Sequence, residues 1–285
     1  MSAILDCRGV AQEFLDWAAE EKAKLGFEPR LATVLFAPRR NSGCVQYRDL
    51  ILKDASKVAV EALSLEPSSE EELLDDIGRL NEDPSVAGIV VFYPIGGRMK
   101  DEDVMDLVSP GKDVEGLHSV NLGYLIKYKR FLDEEAGIKC VVPATAKAVV
   151  KTLQRHPVRI EGSFVAIVNN SMRVGKPLGL MLENLGATVV KCYDKTAPGD
   201  LESCVRRADI LITAVPGESF RVDPAWVKPG AAVIDISLQG NVDVSALGSR
   251  ASFVTISGNR IGQVTRAMIF VNLVYCARNP SKRGT

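Results

Sequence analysis

The residues best placed to do chemistry gather around one turn. Asn169-Asn170-Ser171-Met172-Arg173-Val174-Gly175-Lys176-Pro177 follows a short apolar run, Ser163 to Asn169, and leads into a helical pattern. Strand, polar turn, glycine, then a helix with proline near its start is an order that can aim backbone N–H groups and the positive end of a helix at a phosphate. The stretch is not GxGxxG, and an ordinary strand-to-helix turn shares its outline. A second apolar run, Ala187 to Cys192, ends in Tyr193-Asp194. In a dinucleotide fold an acid roughly 20 residues past the glycine turn accepts hydrogen bonds from the adenosine ribose hydroxyls. Its charge would repel a 2′-phosphate, so Asp194 favours NAD over NADP. Lys195 tempers that repulsion, and a solvated loop acid is the competing reading.

Metal chemistry finds no support in local spacing. The cysteines stand at 7, 44, 140, 192, 204 and 276, with no CxxC pair, and the two histidines, His118 and His156, are far apart. No zinc site can be assembled from these, and the expected metal content is none. Both histidines read as structural or surface residues. Scattered cysteines in a chain of ordinary size fit a reducing compartment, and the protein is expected to be cytoplasmic.

The elements that must hold this chemistry alternate between helix and strand. Residues 8–26 have helical spacing, Leu31–Phe36 reads as a strand, and Tyr47–Leu63 as a helix. Glu70–Asn81 opens with acids, as a helix dipole prefers, and Ala87–Tyr93 is a continuous apolar strand of the kind buried on both faces. A second series follows: helix Ala144–Gln154, strand Ser163–Asn169, helix Pro177–Leu185, strand Ala187–Cys192, strands Asp209–Ala214 and Ala231–Ile236, and helix Thr265–Ala277. Short β-rich runs separated by helices imply parallel sheets, hence an α/β fold. No internal repeat or low-complexity linker is visible, and the domain boundary is expected in the loop around Asp133–Pro143.

Composition sets the outer bounds. A chain of 285 residues is long enough for about two domains and a sizeable core. Its 35 basic and 36 acidic residues give a net charge of −1, which excludes a basic coat for nucleic acid. Apolar residues at 46% and charged ones at 25% are a globular mixture. The longest apolar run, near Val86–Ile95, is too short to span a bilayer, and the N-terminus lacks signal-peptide character. Neither a nucleic-acid nor a membrane partner is expected.

Four segments together resemble one family, the methylenetetrahydrofolate dehydrogenases, most of which are bifunctional dehydrogenase/cyclohydrolases. Lys112-Asp113-Val114-Glu115-Gly116-Leu117 looks like the family's KDVDG motif, and Val142-Pro143-Ala144-Thr145-Ala146 resembles its PCTP segment. Ser171 through Pro177 resembles the SxxVGxP cofactor turn, with Arg173 in a usually apolar slot, and Gly262-Gln263-Val264-Thr265 resembles GPMT. The match covers nearly the whole length. It implies two α/β domains around a cleft: a folate-binding domain over 1–142 joined by the terminal helix 265–285, and a Rossmann-like dinucleotide-binding domain over 143–264.

The resemblance also implies roles. Glu115 would bind the pterin, and Tyr47 would pack on it and position the reacting ring, while Tyr93, Pro94, Val264 and Thr265 would line the folate side. Asn170 and Ser171, with Val174, Gly175 and Pro177 shaping their turn, would hold the pyrophosphate and ribose of NAD. Asp194 would take the adenosine ribose, and Ala214, Val215, Pro216 and Leu238 would border the nicotinamide. The substrate implied is 5,10-methylenetetrahydrofolate, and the assembly a homodimer joined mainly through the Rossmann-like domains.

The departures are specific. The family tyrosine is followed four residues later by a lysine on the same helical face, which serves hydrolysis of the methenyl product; here Tyr47 is followed by Ile51. The family strand ends Val-Gln-Leu-Pro, whereas this one reads Val91-Phe92-Tyr93-Pro94-Ile95-Gly96, so the glutamine that orients the lysine is Phe92. Lys53 would point about 160° away from the required face. These changes resemble the monofunctional NAD-dependent branch of fungal type. Three rival readings follow. The enzyme could remain bifunctional through another base such as Lys53. The chain could be a nucleotide-binding regulatory protein with a decayed folate pocket, given Ala144, Ala146 and Gly96. Or NADP could be used, with Arg173 or Lys195 on the 2′-phosphate.

Overall fold

The computed structural model describes residues 2–37, 42–96, 98–256 and 258–279. The chain runs β1 (Ala3–Ile4), α1 (Cys7–Ala23), β2 (Arg30–Val34), α2 (Ser42–Lys57), β3 (Ala62–Leu65), α3 (Glu70–Glu82), β4 (Val86–Val91), α4 (Asp101–Met105), α5 (Ser119–Ile126), β5 (Phe131–Asp133) and β6 (Ile138–Lys139). It continues through α6 (Ala144–Gln154), β7 (Phe164–Val168), α7 (Gly175–Glu183), β8 (Thr188–Cys192), α8 (Pro198–Arg207), β9 (Ile210–Thr213), β10 (Ala232–Asp235), α9 (Val244–Leu247), β11 (Phe253–Val254) and α10 (Ile261–Ala277). Among the described residues no helix is long and apolar enough to cross a membrane.

The chain divides into two compact units. One comprises Gln12–Ala144 and the residues from Arg266 onward; the other comprises the residues up to Ala11 and Thr145–Thr265. The first is built on a parallel sheet ordered β3-β2-β4. All six residues of β4 are buried, as its unbroken apolar run requires. Gly88 in β4 admits its neighbours: a Cβ there would lie 2.4 Å from Val114 and 2.7 Å from Leu273. Helix α3 is N-capped by Ser69, whose Oγ accepts from the Glu72 amide while the Glu72 carboxylate accepts from Ser68, and buries Leu73, Ile77 and Leu80 against the sheet. From α10, Asn272 donates to the carbonyls of Val114 and Val142 and so ties two loops together.

The other unit is a six-stranded parallel sheet ordered β1-β11-β10-β9-β7-β8. Strand β7 lies between β8 and β9, so the chain leaves β7 towards one edge and returns on its other side. The carboxyl ends of β7 and β9 therefore form a topological switch point, where open α/β sheets bind ligands.

The α/β class and parallel sheets agree with the sequence pattern, and α6 has the predicted bounds. Three differences have physical causes. Helix α2 stops at Lys57; Ala59 turns at φ +53°, and Ala62–Leu65 becomes strand β3 instead of more helix. The stretch around Asp133–Pro143, expected to be a boundary loop, carries part of the antiparallel hairpin β5–β6. The first residues belong with the six-stranded unit rather than with 1–142, because β1 pairs with β11 at the sheet edge. Residues 280–285, assigned with the terminal helix, lie outside the described residues.

Candidate active site

Each unit holds a candidate site of its own. In the three-stranded unit the site is organised by buried Asp113. Its buried carboxylate accepts from the amides of Gly116 (2.9 Å) and His118 (2.8 Å) and from Asn121 Nδ2 (2.9 Å). Burial pushes its carboxyl above the ordinary range against these bonds. Lys112 is buried too, donating to the carbonyls of Leu80 and Asp83. Gly116 has φ +73°, and a Cβ would sit 2.5 Å from the carbonyl carbon of Val142, so only glycine fits. The Ala144 amide donates to the Glu115 carbonyl at 3.0 Å. The loop is thus closed from both sides, leaving the Glu115 side chain half-buried.

Tyr47 is half-buried on α2. Its ring meets Phe92 edge-on, with centroids 6.3 Å apart and planes at 85°. Burial, then the nearby Glu115 charge, pushes its phenol well above the ordinary value; Asp54 adds to the rise and Arg266 opposes it. Ile51, one turn along the same face, is fully buried, and Phe92 is 7% exposed. Lys53 lies on the exposed side of the helix. A cis peptide bond joins buried Tyr93 to exposed Pro94.

In the six-stranded unit the turn after β7 is built by Asn169. Its Oδ1 accepts from the Ser171 amide and hydroxyl and from the Gly175 amide, at 2.8–2.9 Å. Its Nδ2 donates to the Ala214 carbonyl at 2.8 Å, joining the ends of β7 and β9 across the switch point. Gly175 is required because a Cβ would stand 2.1 Å from the Asn169 carbonyl oxygen. The Val174 amide bonds Ser171 Oγ and the Lys176 amide bonds the Ser171 carbonyl. The turn therefore spends most of its own amides on itself rather than offering a bare phosphate cradle. At its surface remain half-buried Asn170 and the exposed side chains of Arg173 and Lys176, while Ser171, also half-buried, turns its hydroxyl into the turn.

Asp194 follows β8, with its carboxylate 3.2 Å from Lys195 Nζ and both side chains more than three-quarters exposed. Ala214 and Val215 are half-buried, and Pro216 is exposed. Asn241 clamps this segment: its Oδ1 accepts from the Val215 amide (2.8 Å) and its Nδ2 donates to the Val215 carbonyl (3.0 Å). Leu238 is 77% exposed on a loop whose carbonyls receive Arg260. Val264 and Thr265 sit differently from the expected lining. Val264 is wholly buried and Thr265 is 7% exposed, its hydroxyl bonded to the Ile261 carbonyl in the preceding helical turn. His156 is structural, its Nε2 accepting from the Asp6 amide, and His118 caps α5.

Sequence reasoning missed the organisers. Asp113, Asn169 and Asn241 shape the loops without standing among the expected ligand contacts. Asp113 lies inside the KDVEG segment and Asn169 opens the cofactor turn, and the available signal was an Asx residue a few positions before a turn glycine. Among the described residues no group of three or more His, Cys, Asp or Glu side chains could hold a metal ion, and none of the six cysteines forms a disulfide.

The set fits a dinucleotide: a switch-point crevice bridged by Asn169, a turn tight enough to demand Gly175, two outward cations for a pyrophosphate, and an acid after the second strand. Comparison with known proteins supports this. Residues 5–115 match the catalytic domain, and residues 143–281 the NAD(P)-binding domain, of the tetrahydrofolate dehydrogenase/cyclohydrolase family. The bifunctional protein FolD of Methanoculleus marisnigri is 32% identical over 286 residues, covering 96% of each chain. The NAD-dependent 5,10-methylenetetrahydrofolate dehydrogenase of Saccharomyces cerevisiae superposes with a TM-score of 0.86 at 25% identity, covering 99% of this chain and 98% of that one. The methylenetetrahydrofolate dehydrogenase-cyclohydrolase of Trypanosoma brucei, solved with NADP and an inhibitor, gives 0.87 at 27% identity and 97% coverage of both chains.

Proposed function

The chain belongs to the tetrahydrofolate dehydrogenase/cyclohydrolase family, and from that premise we propose that it oxidises 5,10-methylenetetrahydrofolate to the 5,10-methenyl form with NAD and without hydrolysing the product. The observation that carries the reading is the apolar wall of the Tyr47 site. Where hydrolysis needs a polar group to activate water, Ile51 is fully buried and Phe92 presents its ring to Tyr47. Lys53, a substitute base suggested by the sequence, lies on the exposed side of α2.

Oxidation needs no such group. The methylene C–H bond breaks with both electrons leaving as hydride, the neighbouring nitrogens share the resulting positive charge, and no proton is released. Bound NAD would supply the hydride acceptor. The protein's task is orientation, which can lower a barrier by about 7–11 kcal/mol in favourable cases. Glu115 accepts hydrogen bonds from the pterin amino and ring N–H groups, and its loop is held by Asp113 and Gly116. Tyr47, kept neutral, packs on the ring system. Tyr93 and Pro94 shape the adjoining wall.

On the nucleotide side, Ser171 and Asn170 meet the ribose and pyrophosphate, and Val174, Gly175 and Pro177 set the turn. Arg173 and Lys176 offset the pyrophosphate charge. Asp194 takes the adenosine ribose, and Ala214, Val215, Pro216 and Leu238 border the nicotinamide. Asp194 supports NAD, although Lys195 offsets part of its charge. Two copies pair through their six-stranded units, and sedimentation equilibrium returning twice the chain mass would support that.

The hydrolytic half is tested by adding the enzyme to prepared 5,10-methenyltetrahydrofolate and following its absorbance. The expected decay equals that of buffer. Enzyme-dependent acceleration would return the chain to the bifunctional reading.

A further inference from the structure

Tyr47, Ile51 and Asp54 share one face of α2, at spacings of four and three residues. Tyr47 and Asp54 are separated by about 10 Å of helix rise. Asp54 is 3% exposed and binds two cations: Arg266 Nε lies 2.6 Å from its Oδ2, and Lys57 Nζ lies 2.8 Å from its Oδ1. The two cations differ. The Arg266 side chain is 12% exposed, whereas that of Lys57 is 47% exposed and solvated. The buried partner therefore comes from α10, and the pair fastens the turn of α2 beyond Tyr47 to the terminal helix.

We propose that Asp54 and Arg266 are a positioning and charge-balancing pair for the Tyr47 site: Arg266 holds α2 in place, and Asp54 cancels the guanidinium charge so that a cation can form on the substrate nearby. This rests on the folate-oxidation reading and adds two residues to it. Oxidation converts a neutral methylene into a methenyl group carrying one positive charge. The charges that bear on Tyr47 include two anions, Glu115 and Asp54, and the Arg266 cation. Removing the Asp54 charge takes the carboxylate from a largely buried guanidinium that lies near a site where positive charge must develop. Such a change opposes the product more than the substrate.

The test compares binding of a cationic and a neutral folate. Wild-type enzyme, Asp54→Asn and Asp54→Asn/Arg266→Gln are titrated with 5,10-methenyltetrahydrofolate and with tetrahydrofolate by fluorescence quenching in mildly acidic buffer, where the methenyl form persists. Asp54→Asn is expected to weaken methenyl binding about tenfold more than tetrahydrofolate binding, the scale of one unit charge across roughly 10 Å of protein. The same variant loses kcat by a similar factor. The neutral double variant is expected to bring the binding ratio back towards that of wild type, though it has no ion pair. Parallel weakening of both ligands in Asp54→Asn means the pair only supports the fold, and overturns the inference. So does a double variant whose ratio stays shifted tenfold, which decides the matter even if the single variant does not fold. A wild-type chain that binds neither folate overturns the parent reading instead.

Discussion

The loop that carries Glu115 and the turn that precedes α7 solve the same problem with different charges. In each, one side chain gathers the amides of a tight turn ending at an obligatory glycine: Asp113 for Gly116, Asn169 for Gly175. The folate-side organiser is a carboxylate. Its three donors stabilise the anion, while burial presses the other way. The nucleotide-side organiser is a neutral amide. It also has a donor to spend, which bridges to Ala214. The proposed ligands account for the difference. A carboxylate beneath a pyrophosphate would repel it, whereas Asp113 lies under a loop whose outward group, Glu115, is meant to receive N–H donors.

The largest break in this comparison comes from removing the outward group rather than an organiser. Glu115→Ala should lower kcat/KM for the folate by at least about a hundredfold, since each of two charge-assisted hydrogen bonds is worth about 1.5–3 kcal/mol. NAD affinity should stay within about twofold, because one unit of charge elsewhere contributes little through screened solvent. Equal losses for both ligands in steady-state kinetics and calorimetry would mean that the two loops are not independent.

Exchanging the organisers sharpens the point. Asn169→Asp adds a negative charge to the turn and loses the donor to Ala214, so the Kd for NAD should rise by about tenfold or more. Asp113→Asn keeps an oxygen acceptor but adds two donors to a buried site, and a loss of about 1–3 kcal/mol in unfolding free energy is expected, read by urea denaturation. Unchanged NAD binding in Asn169→Asp would undo the electrostatic account of the choice.

Tyr47 supplies a pH test. Burial and the Glu115 charge favour its neutral form, so the hydroxyl stays protonated as pH rises through about 10, where free tyrosine ionises. The predicted kcat profile shows no tyrosine ionisation there, and a fall near pH 10 that Tyr47→Phe abolishes would contradict this. The smallest effect is expected at Asp194. Asp194→Ser should shift preference towards NADP by a few-fold to about tenfold, because exposed charges act weakly and Lys195 already lies 3.2 Å away. An unchanged NADP to NAD ratio would count against its contact with the ribose.

Much of this architecture was legible in periodicity. The apolar run of β4, the acid-led start of α3 and the bounds of α6 are local signals that packing reinforces. Strand β3 was not legible, because Val58 and Ala62 continue the helical spacing of α2 and only the backbone turn at Ala59 breaks it. The two-residue β1 was hidden as well, since its partner β11 lies some 250 residues away and its pairing is purely tertiary. In the site, side-chain chemistry was readable and burial was not. Asp194 could be singled out from type and spacing, and Glu115 and Tyr47 from the family resemblance. That Val264 is core, that Asn169 spends the turn's amides, and that Asp54 meets Arg266 are facts of long-range packing.

The central claim is oxidation with NAD and no following hydrolysis. The most direct measurement supplies 5,10-methylenetetrahydrofolate with NAD, and in parallel with NADP, while following reduced nicotinamide and the methenyl product at separate wavelengths. The account predicts NADH formation with stoichiometric methenyl product that decays only at the buffer rate, and slower reduction with NADP. Methenyl product that vanishes as fast as NADH appears, or reduction with NADP alone, would contradict it.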